Sequence, residues 1–293
     1  MQQPYFEYYR DVRSTMPFSA RELLRNAALD GLSVIDKIRN INADLNRPRI
    51  QFLYIHHIFK DEEQAFDRLL KRLSKHHHFI SYSGAVDKIL TGRIDKPYVC
   101  FSSDDGFKNN LRAAEILSAH GASACFFINP DLIGETSFEV IKKHTESRLK
   151  FPPVEFLTWD EVDSLLKAGH EIGSHTMYHF NVADIPAKEF REDCEKAMAV
   201  ITKQCGKVSH FAFPYGRFFN FSDEARRIIF ETGFRSCATA ERGCHINHDK
   251  VLKKEDLCLR RDLVILDWNP DHIFYFMARN SSKASVSNNL YPY

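Results

Sequence analysis

Short runs of β-branched and aromatic residues alternate along most of this chain with segments whose apolar residues recur at helical spacing. This alternation is typical of βα units, in which each helix leads back to another parallel strand. It predicts strands near residues 51–55, 78–81, 98–102, 123–128, 170–174, 209–213, 234–239 and 257–265. This number of strands favours an α/β fold of the closed or nearly closed (β/α) barrel type. An open doubly wound sheet is the alternative, but the sequence has no GxGxxG or P-loop to support one.

Capping residues indicate where some of the helices begin. Asp61 is followed three residues later by Gln64, and Thr158 by Glu161. A side chain that accepts a hydrogen bond, followed at this spacing by Glu or Gln, predicts a helix N-terminus.

The residues before the first strand have a different composition. Residues 1–48 are rich in arginine, asparagine and aromatic side chains, and their apolar spacing predicts a helix from Ala20 to Ile41. We therefore expect a helical N-terminal extension over residues 1–48 and an α/β domain over residues 49–280. Residues 281–293 show no periodicity, which predicts a flexible tail.

Charge and hydropathy exclude several classes of partner. The chain has 40 lysines and arginines against 39 aspartates and glutamates, and its formal net charge of +1 gives no electrostatic reason to expect a nucleic-acid partner. A small molecule or a neutral glycan is a more suitable substrate for a chain with this balance of charge. The longest purely apolar runs are far shorter than the roughly 18 residues of a membrane span, so we do not expect an integral membrane protein.

Cysteine usage bears on the cellular compartment. The seven cysteines form an odd set without a CxxC pair, and several lie in apolar strand or helix patterns. This predicts buried free thiols in a reducing compartment. The first twenty residues carry Glu7 and Asp11 among aromatics and arginines, unlike a secretory signal. We therefore expect a cytoplasmic location, and nothing in the sequence indicates the oligomeric state.

Two acidic residues follow the strand near 98–102. Asp104 and Asp105 are adjacent and precede Gly106. The loops after the strands carry the reactive groups of α/β barrels, and a glycine turn there allows both carboxylates to face one site. One carboxylate is then available to bind a metal and the other to accept a proton. An acidic turn with an Asx bend is the alternative.

A pair of histidines follows the strand near 170–174. His175 and His179 are spaced i, i+4, which on a helical turn brings both imidazoles to one metal ion. With Asp105 they make three protein ligands with open positions, as a catalytic Zn²⁺ or similar divalent ion requires. A chance pair is the alternative in a chain with 14 histidines.

A tight turn, Pro214-Tyr215-Gly216, follows the strand near 209–213. A backbone N–H at such a turn is able to point at the oxygen that becomes negative during acyl transfer. A purely structural turn is the alternative for this tripeptide. The three loops together, each at the end of its own predicted strand, favour metal-assisted hydrolysis.

These motifs resemble those of the polysaccharide deacetylase family, carbohydrate esterase family 4. FSSDDG at 101–106 resembles the first motif of the family, usually TFDDG, and HTMYH at 175–179 matches its H-[ST]-x-x-H motif. FAFPYG at 211–216 resembles the third motif in the variant found among exopolysaccharide-type deacetylases. The resemblance runs from about Phe52 to Ala240.

The resemblance implies a distorted (β/α) barrel whose catalytic domain covers residues 49–280 and removes an N-acetyl group from an amino sugar. It implies Asp104 as the general base. It also implies three metal ligands, namely Asp105, His175 and His179.

The same resemblance extends to the Pro214 turn. It implies that the Tyr215 N–H faces the oxyanion, and we expect Pro214 and Gly216 beside it to contact the substrate. His56 resembles a histidine of a family strand that opens onto the site, and we interpret it as a substrate contact.

Two departures from the family pattern concern the groups around the base. The arginine that usually begins the third motif is replaced by Ala212. Arg261, or less well Arg260, is expected to supply the missing guanidinium. The Leu-x-His motif that usually carries the general acid has no clear counterpart, so no general acid is assigned.

The sequence therefore predicts a metal-dependent N-deacetylase that acts on a cell-surface polysaccharide, a lipopolysaccharide or a precursor of one. The substrate is expected to be an N-acetylated glycan or a lipid-linked sugar, and the cofactor a divalent metal, with zinc first and cobalt or nickel as alternatives. An amidase acting on a non-sugar amide is a second hypothesis. A catalytically inactive glycan-binding module is a third.

Overall fold

A computed structural model of the chain describes residues 5–17, 19–38, 42–248, 252–286 and 290–292. Within these ranges nine strands form one sheet, and every pairing of two strands is parallel. The strands are β1 (Arg49–Ile55), β2 (His78–Phe79), β3 (Pro97–Ser103), β4 (Ala124–Ile128), β5 (Glu171–Ser174), β6 (His210–Ala212), β7 (Ser236–Ala238), β8 (Cys258–Leu259) and β9 (Arg261–Leu263).

The sheet curves into a nearly closed barrel. Its strands follow the order β8-β7-β6-β5-β4-β3-β1-β9, and the short β2 pairs with β3 outside this order. β8 and β9 stand at opposite ends of the order although only Arg260 separates them along the chain. The predicted (β/α) barrel is confirmed, and its seam lies between these two strands.

The single strand predicted over residues 257–265 is wrong, because this segment crosses the seam. β8 pairs with β7, whereas β9 pairs with β1 on the other side. Leu259 O accepts a hydrogen bond from Thr239 N, and Arg261 N donates to Glu241 O two residues later. Three charged residues, Arg260, Arg261 and Asp262, stand at the seam and interrupt the apolar pattern, although the predicted single strand includes them.

Helices connect the strands and cover the outside of the barrel. They are α1 (Tyr9–Thr15), α2 (Ala20–Ile38), α3 (Asn42–Leu45), α4 (Glu63–Leu73), α5 (Tyr82–Leu90), α6 (Asn110–Ala119), α7 (Phe138–His144), α8 (Trp159–Lys167), α9 (Ala187–Cys205), α10 (Asp223–Thr232) and α11 (Pro270–Ser282). No helix within the described ranges has both the length and the apolar character needed to cross a bilayer.

One of the two predicted helix caps is confirmed and the other is wrong. Thr158 and Glu161 form a capping box at the start of α8. The Asp61 carboxylate does not cap α4. It accepts hydrogen bonds from the N–H groups of Tyr9 and Arg10, so it holds the first turn of α1 against the barrel.

Alternate residues of each strand face opposite sides of the sheet. On β1, Phe52 packs in the barrel interior with Phe127, whereas Leu53 packs in the layer between the sheet and the helices. α5 closes the end of the barrel at which the strands begin, because Ser83 at its start donates to the Glu171 carboxylate of β5. The opposite end of the barrel is left for the functional loops.

The two ends of the chain pack against the barrel domain. α2 and α3 of the N-terminal extension pack on α11. The predicted last residues of the α2 helix, 39–41, lie outside the described residues. Within the residues predicted to form a flexible tail, Tyr291 is buried and donates a hydrogen bond to Cys237 O, and Leu290 bridges to Leu257.

We predict that Gly173→Ala lowers the free energy of unfolding by about 1–3 kcal/mol, because the added methyl group overpacks the barrel interior. A Cβ atom at Gly173 would overlap the Phe127 ring and lie 3.0 Å from His210 O. The matched control is Gly31→Ala in α2, where a Cβ atom meets nothing within 4 Å. Urea unfolding of both variants checks this, and equal stability of Gly173→Ala and the wild type would contradict it.

Candidate metal centre and catalytic cavity

The side chains singled out in the sequence meet at the carboxyl-terminal end of the barrel. Asp104 and Asp105 follow β3, His175 follows β5, and Arg261 lies in β9. Parallel strands run in one direction, so the loops that follow them meet at one end. These residues border a cavity of about 220 Å³, which is also lined by Tyr54, His56, His57, Phe107, Arg148, Leu149, Phe151, His179, Phe213, Tyr215, Gly216 and Ala240.

Asp105, His175 and His179 form a buried triad. The Asp105 Oδ1 atom lies 3.5 Å from His175 Nε2 and 3.3 Å from His179 Nε2. Potential ligand atoms of all three residues lie within 4.8 Å of one another. One carboxylate and two imidazoles make a donor set that suits zinc and related divalent ions.

The hydrogen bonding of the triad fits a metal ion. Asp105 Oδ1 is buried and receives no hydrogen bond from any described residue. His175 Nδ1 lies 2.7 Å from Ala212 O, so this nitrogen carries the proton and leaves the Nε2 lone pair facing Asp105. A buried carboxylate oxygen without a donor is costly unless a cation binds it.

Burial and neighbouring charges set the pKa values of the triad in the direction that metal binding needs. Burial lowers the pKa of His175 to about 4, so its imidazole is neutral. Burial raises the pKa of Asp105, but its interaction with His179 and the charges of nearby histidines outweigh this and bring the pKa below its usual range. A neutral imidazole and an ionised carboxylate are the ligand forms.

The two histidines do not lie on a helical turn, which corrects the interpretation made from their spacing. Residues 175–180 form an irregular loop, in which Thr176 and His179 both have left-handed backbone with φ of 66° and 55°. These two conformations turn the loop back on itself, so both imidazoles face the same point. An i, i+4 spacing permits this geometry as well as a helical one.

Two buried residues that the sequence analysis missed hold the histidine loop. The Asn129 side-chain amide donates to His175 O and to Thr176 O, the latter at 3.1 Å. Asp193 of α9 accepts from Met177 N at 2.8 Å, and burial raises its pKa to about 6. Asn129 directly follows β4 and Asp193 lies in α9, and both act through contacts with a loop at a distance along the chain.

Asp104 forms a buried, bidentate ion pair with Arg261. Arg261 Nη1 donates to Asp104 Oδ1 at 2.7 Å, and Nη2 donates to Oδ2 at 2.9 Å. The guanidinium also donates to Ser102 Oγ and Thr239 O, and it lies 4.5 Å from the centre of the Tyr54 ring. Burial raises the pKa of Asp104, but the charge of Arg261 outweighs it and holds the carboxylate ionised.

The turn after β6 borders the cavity through Tyr215 and Gly216. Tyr215 has left-handed backbone with φ of 64°, and the hydrogen bonds of the described residues leave its N–H without an acceptor. Gly216 also has positive φ, and a Cβ atom there would overlap Ala240. Pro214 is not among the residues that line the cavity.

A strap that the sequence analysis missed covers one side of the cavity. It is a π-helical turn, Thr145–Leu149, that ends at Lys150 in left-handed conformation. Arg148 donates from Nη1 to Tyr178 O at 2.7 Å, and Tyr215 Oη donates to Arg148 O at 3.0 Å. On the other side His56 lines the cavity, and burial lowers its pKa.

We predict that Arg261→Met lowers the free energy of unfolding by about 3–5 kcal/mol, because it leaves the Asp104 carboxylate buried without its partner. In the double variant Asp104→Asn/Arg261→Met, most of this loss should be recovered, since no unpaired charge remains. Arg260→Met is the control, because the Arg260 guanidinium lies over the Phe218 ring and not at Asp104. Additive losses in the double variant would show that the two charges are not coupled.

We also predict that Asn129→Ala weakens zinc binding at least tenfold and costs about 1–3 kcal/mol of stability, since it leaves two buried carbonyl groups without donors. The control is Asn109→Ala, because the Asn109 amide has no hydrogen-bond partner among the described residues. Competition with a chromophoric chelator measures the affinity. Equal zinc affinity of Asn129→Ala and Asn109→Ala would refute this role of Asn129.

Comparisons with known proteins agree with this geometry. A family model described as polysaccharide deacetylase matches residues 91–237, half of the chain. IcaB from Ammonifex degensii is 19% identical, with a TM-score of 0.62 over 79% of this chain and 98% of that one. The Streptococcus pyogenes deacetylase PplD is 17% identical and has a TM-score of 0.61. The match covers 78% of this chain and 98% of PplD. A polysaccharide deacetylase from Bacillus cereus, BC0361, is 16% identical and has a TM-score of 0.61. The match covers 79% of this chain and 69% of BC0361.

A search of curated protein sequences found no match. At such low identities the solved structures establish the fold, and the family model establishes the family. The chain belongs to the polysaccharide deacetylase family, carbohydrate esterase family 4, and it is a hydrolase of amide C–N bonds.

Proposed function

We propose that this protein is a metal-dependent N-deacetylase that removes acetyl groups from N-acetylated amino sugars of a cell-surface polysaccharide, a lipopolysaccharide or a precursor. The observation that carries this proposal is the shared cavity. The ionised Asp104, held by Arg261, stands next to the Asp105–His175–His179 triad. The neighbours IcaB and PplD support it, because PplD is described as a deacetylase and both share the fold.

Each group in the cavity has a separate role in the hydrolysis of an acetamide. A divalent ion held by the triad, zinc first, would polarise the acetamide carbonyl and lower the pKa of the attacking water. Asp104 accepts a proton from that water as it adds to the carbonyl carbon. The Tyr215 N–H donates a hydrogen bond to the carbonyl oxygen as that oxygen becomes negative. Protonated Asp104 then returns the proton to the departing nitrogen, and acetate and the free amine result.

Arg261 acts through Asp104 and is a positioning residue. Its two parallel hydrogen bonds fix both carboxylate oxygens, and its charge keeps the base ionised inside a buried site. The family pattern usually has an arginine at the position that Ala212 occupies in this chain. Arg261 supplies the guanidinium in its place. Arg261 lines the cavity from β9, which ends at the same edge of the barrel as β6, the strand that contains Ala212.

One exposed aromatic ring beside the triad supports a sugar over a small non-sugar amide as the substrate. The Tyr215 ring lies 5.2 Å from the His179 ring, and the Tyr215 residue is 45% exposed. Aromatic faces of this kind suit the apolar faces of sugar rings. The intact base and triad argue against an inactive glycan-binding module.

We place the reaction in the cytoplasm. The support for this proposal is the state of the seven cysteines, all of which are free thiols and six of which are buried. Disulfides are the usual state of paired cysteines in oxidising compartments.

We predict that Asp104→Asn lowers kcat for acetate release by about 10²–10⁴-fold, because it removes the general base. The bound metal should stay at the wild-type level, since Asp104 is not one of the triad. A panel of N-acetylated amino-sugar oligomers, an acetate assay and plasma mass spectrometry provide the measurements. The control is Asp163→Asn on the surface of α8, which should keep wild-type turnover. Wild-type acetate release by Asp104→Asn would reject the assignment.

A further inference from the structure

Helix α2 turns its apolar side chains outward. Leu23, Leu24, Leu32, Val34 and Ile35 are 64%, 71%, 40%, 56% and 44% exposed, and they are five of the nine exposed large hydrophobic residues among those described. An ordinary surface helix has the opposite arrangement, with its apolar stripe against the core. The residues of α2 that face the protein are largely polar.

The contacts of α2 with the rest of the protein explain this orientation. Leu29 and Ser33 are buried, and Glu22 forms an ion pair of 2.7 Å with Arg13 of α1. Asp30 accepts hydrogen bonds from Asn269 and His272 at the start of α11. These polar contacts fix the rotation of the helix, so the opposite side is held toward solvent.

The exposed side forms a continuous surface, which we name the apolar face of α2. At about 100° per residue, its members fall within an arc of roughly 180°. They are Leu23, Leu24, Ala27, Ala28, Gly31, Leu32, Val34 and Ile35, and all of them are exposed. Arg21 lies on the same arc, between Ala28 and Leu32, and it is the one charged residue among them. Exposed apolar patches of this kind mark interaction sites.

We infer that the apolar face of α2 docks the protein on the surface of a lipid bilayer. A helix of 19 residues is about 28 Å long, and a stripe about 10 Å wide along it covers roughly 300 Å². A stable protein dimer buries about 800 Å² on each partner, so this face alone is too small for a second copy. A bilayer accepts a single helix that lies in its interface.

The chemistry of the face agrees with lipid as its occupant. Protein interfaces combine an apolar centre with direct hydrogen bonds, whereas the one polar side chain on this arc is that of Arg21, near its edge. Arg21 is exposed, and Arg25, just beyond Leu32, has its guanidinium over the Trp268 ring. An arginine at the position of Arg21 reaches the level of the lipid headgroups while the apolar side chains enter the acyl region.

The position of α2 connects this face with the catalytic cavity. Arg13, which pairs with Glu22, lines a cavity of about 280 Å³ together with Tyr9 and Leu266. Tyr9 and Leu266 also line a cavity of about 180 Å³, which shares His56, His57 and Phe151 with the catalytic cavity. Each of these cavities shares lining residues with the next, and the outermost is bordered by Arg13 of α1, the ion-pair partner of Glu22 in α2. If the proposed function holds, the docked protein reaches amino sugars carried by membrane lipids.

Vesicle sedimentation tests the docking directly. Purified full-length protein is mixed with vesicles of phosphatidylcholine and phosphatidylglycerol, and the bound fraction is measured against lipid concentration. We expect the wild type to bind, and Leu24→Glu/Ile35→Glu to bind at least tenfold more weakly. The matched control is Val140→Glu, which places a charge at an exposed apolar residue outside α2 and should bind as the wild type does.

The outcomes separate docking from catalysis. Leu24→Glu/Ile35→Glu should keep the circular dichroism, the Tm and the acetate release of the wild type on soluble oligomers, because both side chains face solvent. A wild type that does not bind vesicles, or a double variant that binds equally well, overturns the docking. If the wild type is a dimer that does not bind vesicles, and the double variant is a monomer, the face binds a second copy of the protein. That result also overturns the docking on lipid. Vesicle binding without acetate release from any substrate refutes only the proposed function.

Discussion

A buried ion pair between Arg261 and Asp104 joins the seam of the barrel to its catalytic loop. Arg261 lies in β9, the strand that pairs with β1 at the seam, and Asp104 follows β3 on the other side of β1. Removing two charges from water is costly unless they are paired and further hydrogen-bonded, and here Ser102 and Thr239 complete the guanidinium contacts. The same pair therefore fixes the end of the barrel and keeps the Asp104 carboxylate ionised.

Backbone strain is concentrated around the cavity. Among the described residues, the non-glycine residues with left-handed φ are Asp105, Lys150, Thr176, His179 and Tyr215. Each of them belongs to the triad, to the loop between the histidines, to the Pro214–Gly216 turn or to the end of the strap. Such conformations cost free energy and persist only where the surrounding structure imposes them. The well-packed strands below the loops, together with Asn129 and Asp193, supply that constraint.

The sequence predicted the barrel and the meeting of the loops well, because strand and helix periodicities are local and parallel strands all end at one edge. It did not predict the seam, since the charged residues Arg260, Arg261 and Asp262 were read as part of one strand, and Arg261 and Asp262 are in fact buried. The loop geometry of His175 and His179 was also missed, because the same spacing fits a helix. Asn129, Asp193 and Arg148 act through contacts with residues far away along the chain, which no local pattern encodes.

The claim that the Asp105–His175–His179 triad is a metal centre is tested most directly by the metal content of the purified protein. Plasma mass spectrometry of tag-free wild type, beside His175→Ala and Asp105→Ala, provides the measurement. We expect close to one equivalent of a divalent metal in the wild type and loss of the metal in both variants. A wild type that stays metal-free after zinc, cobalt and nickel have each been offered would contradict the metal centre and the hydrolytic mechanism built on it.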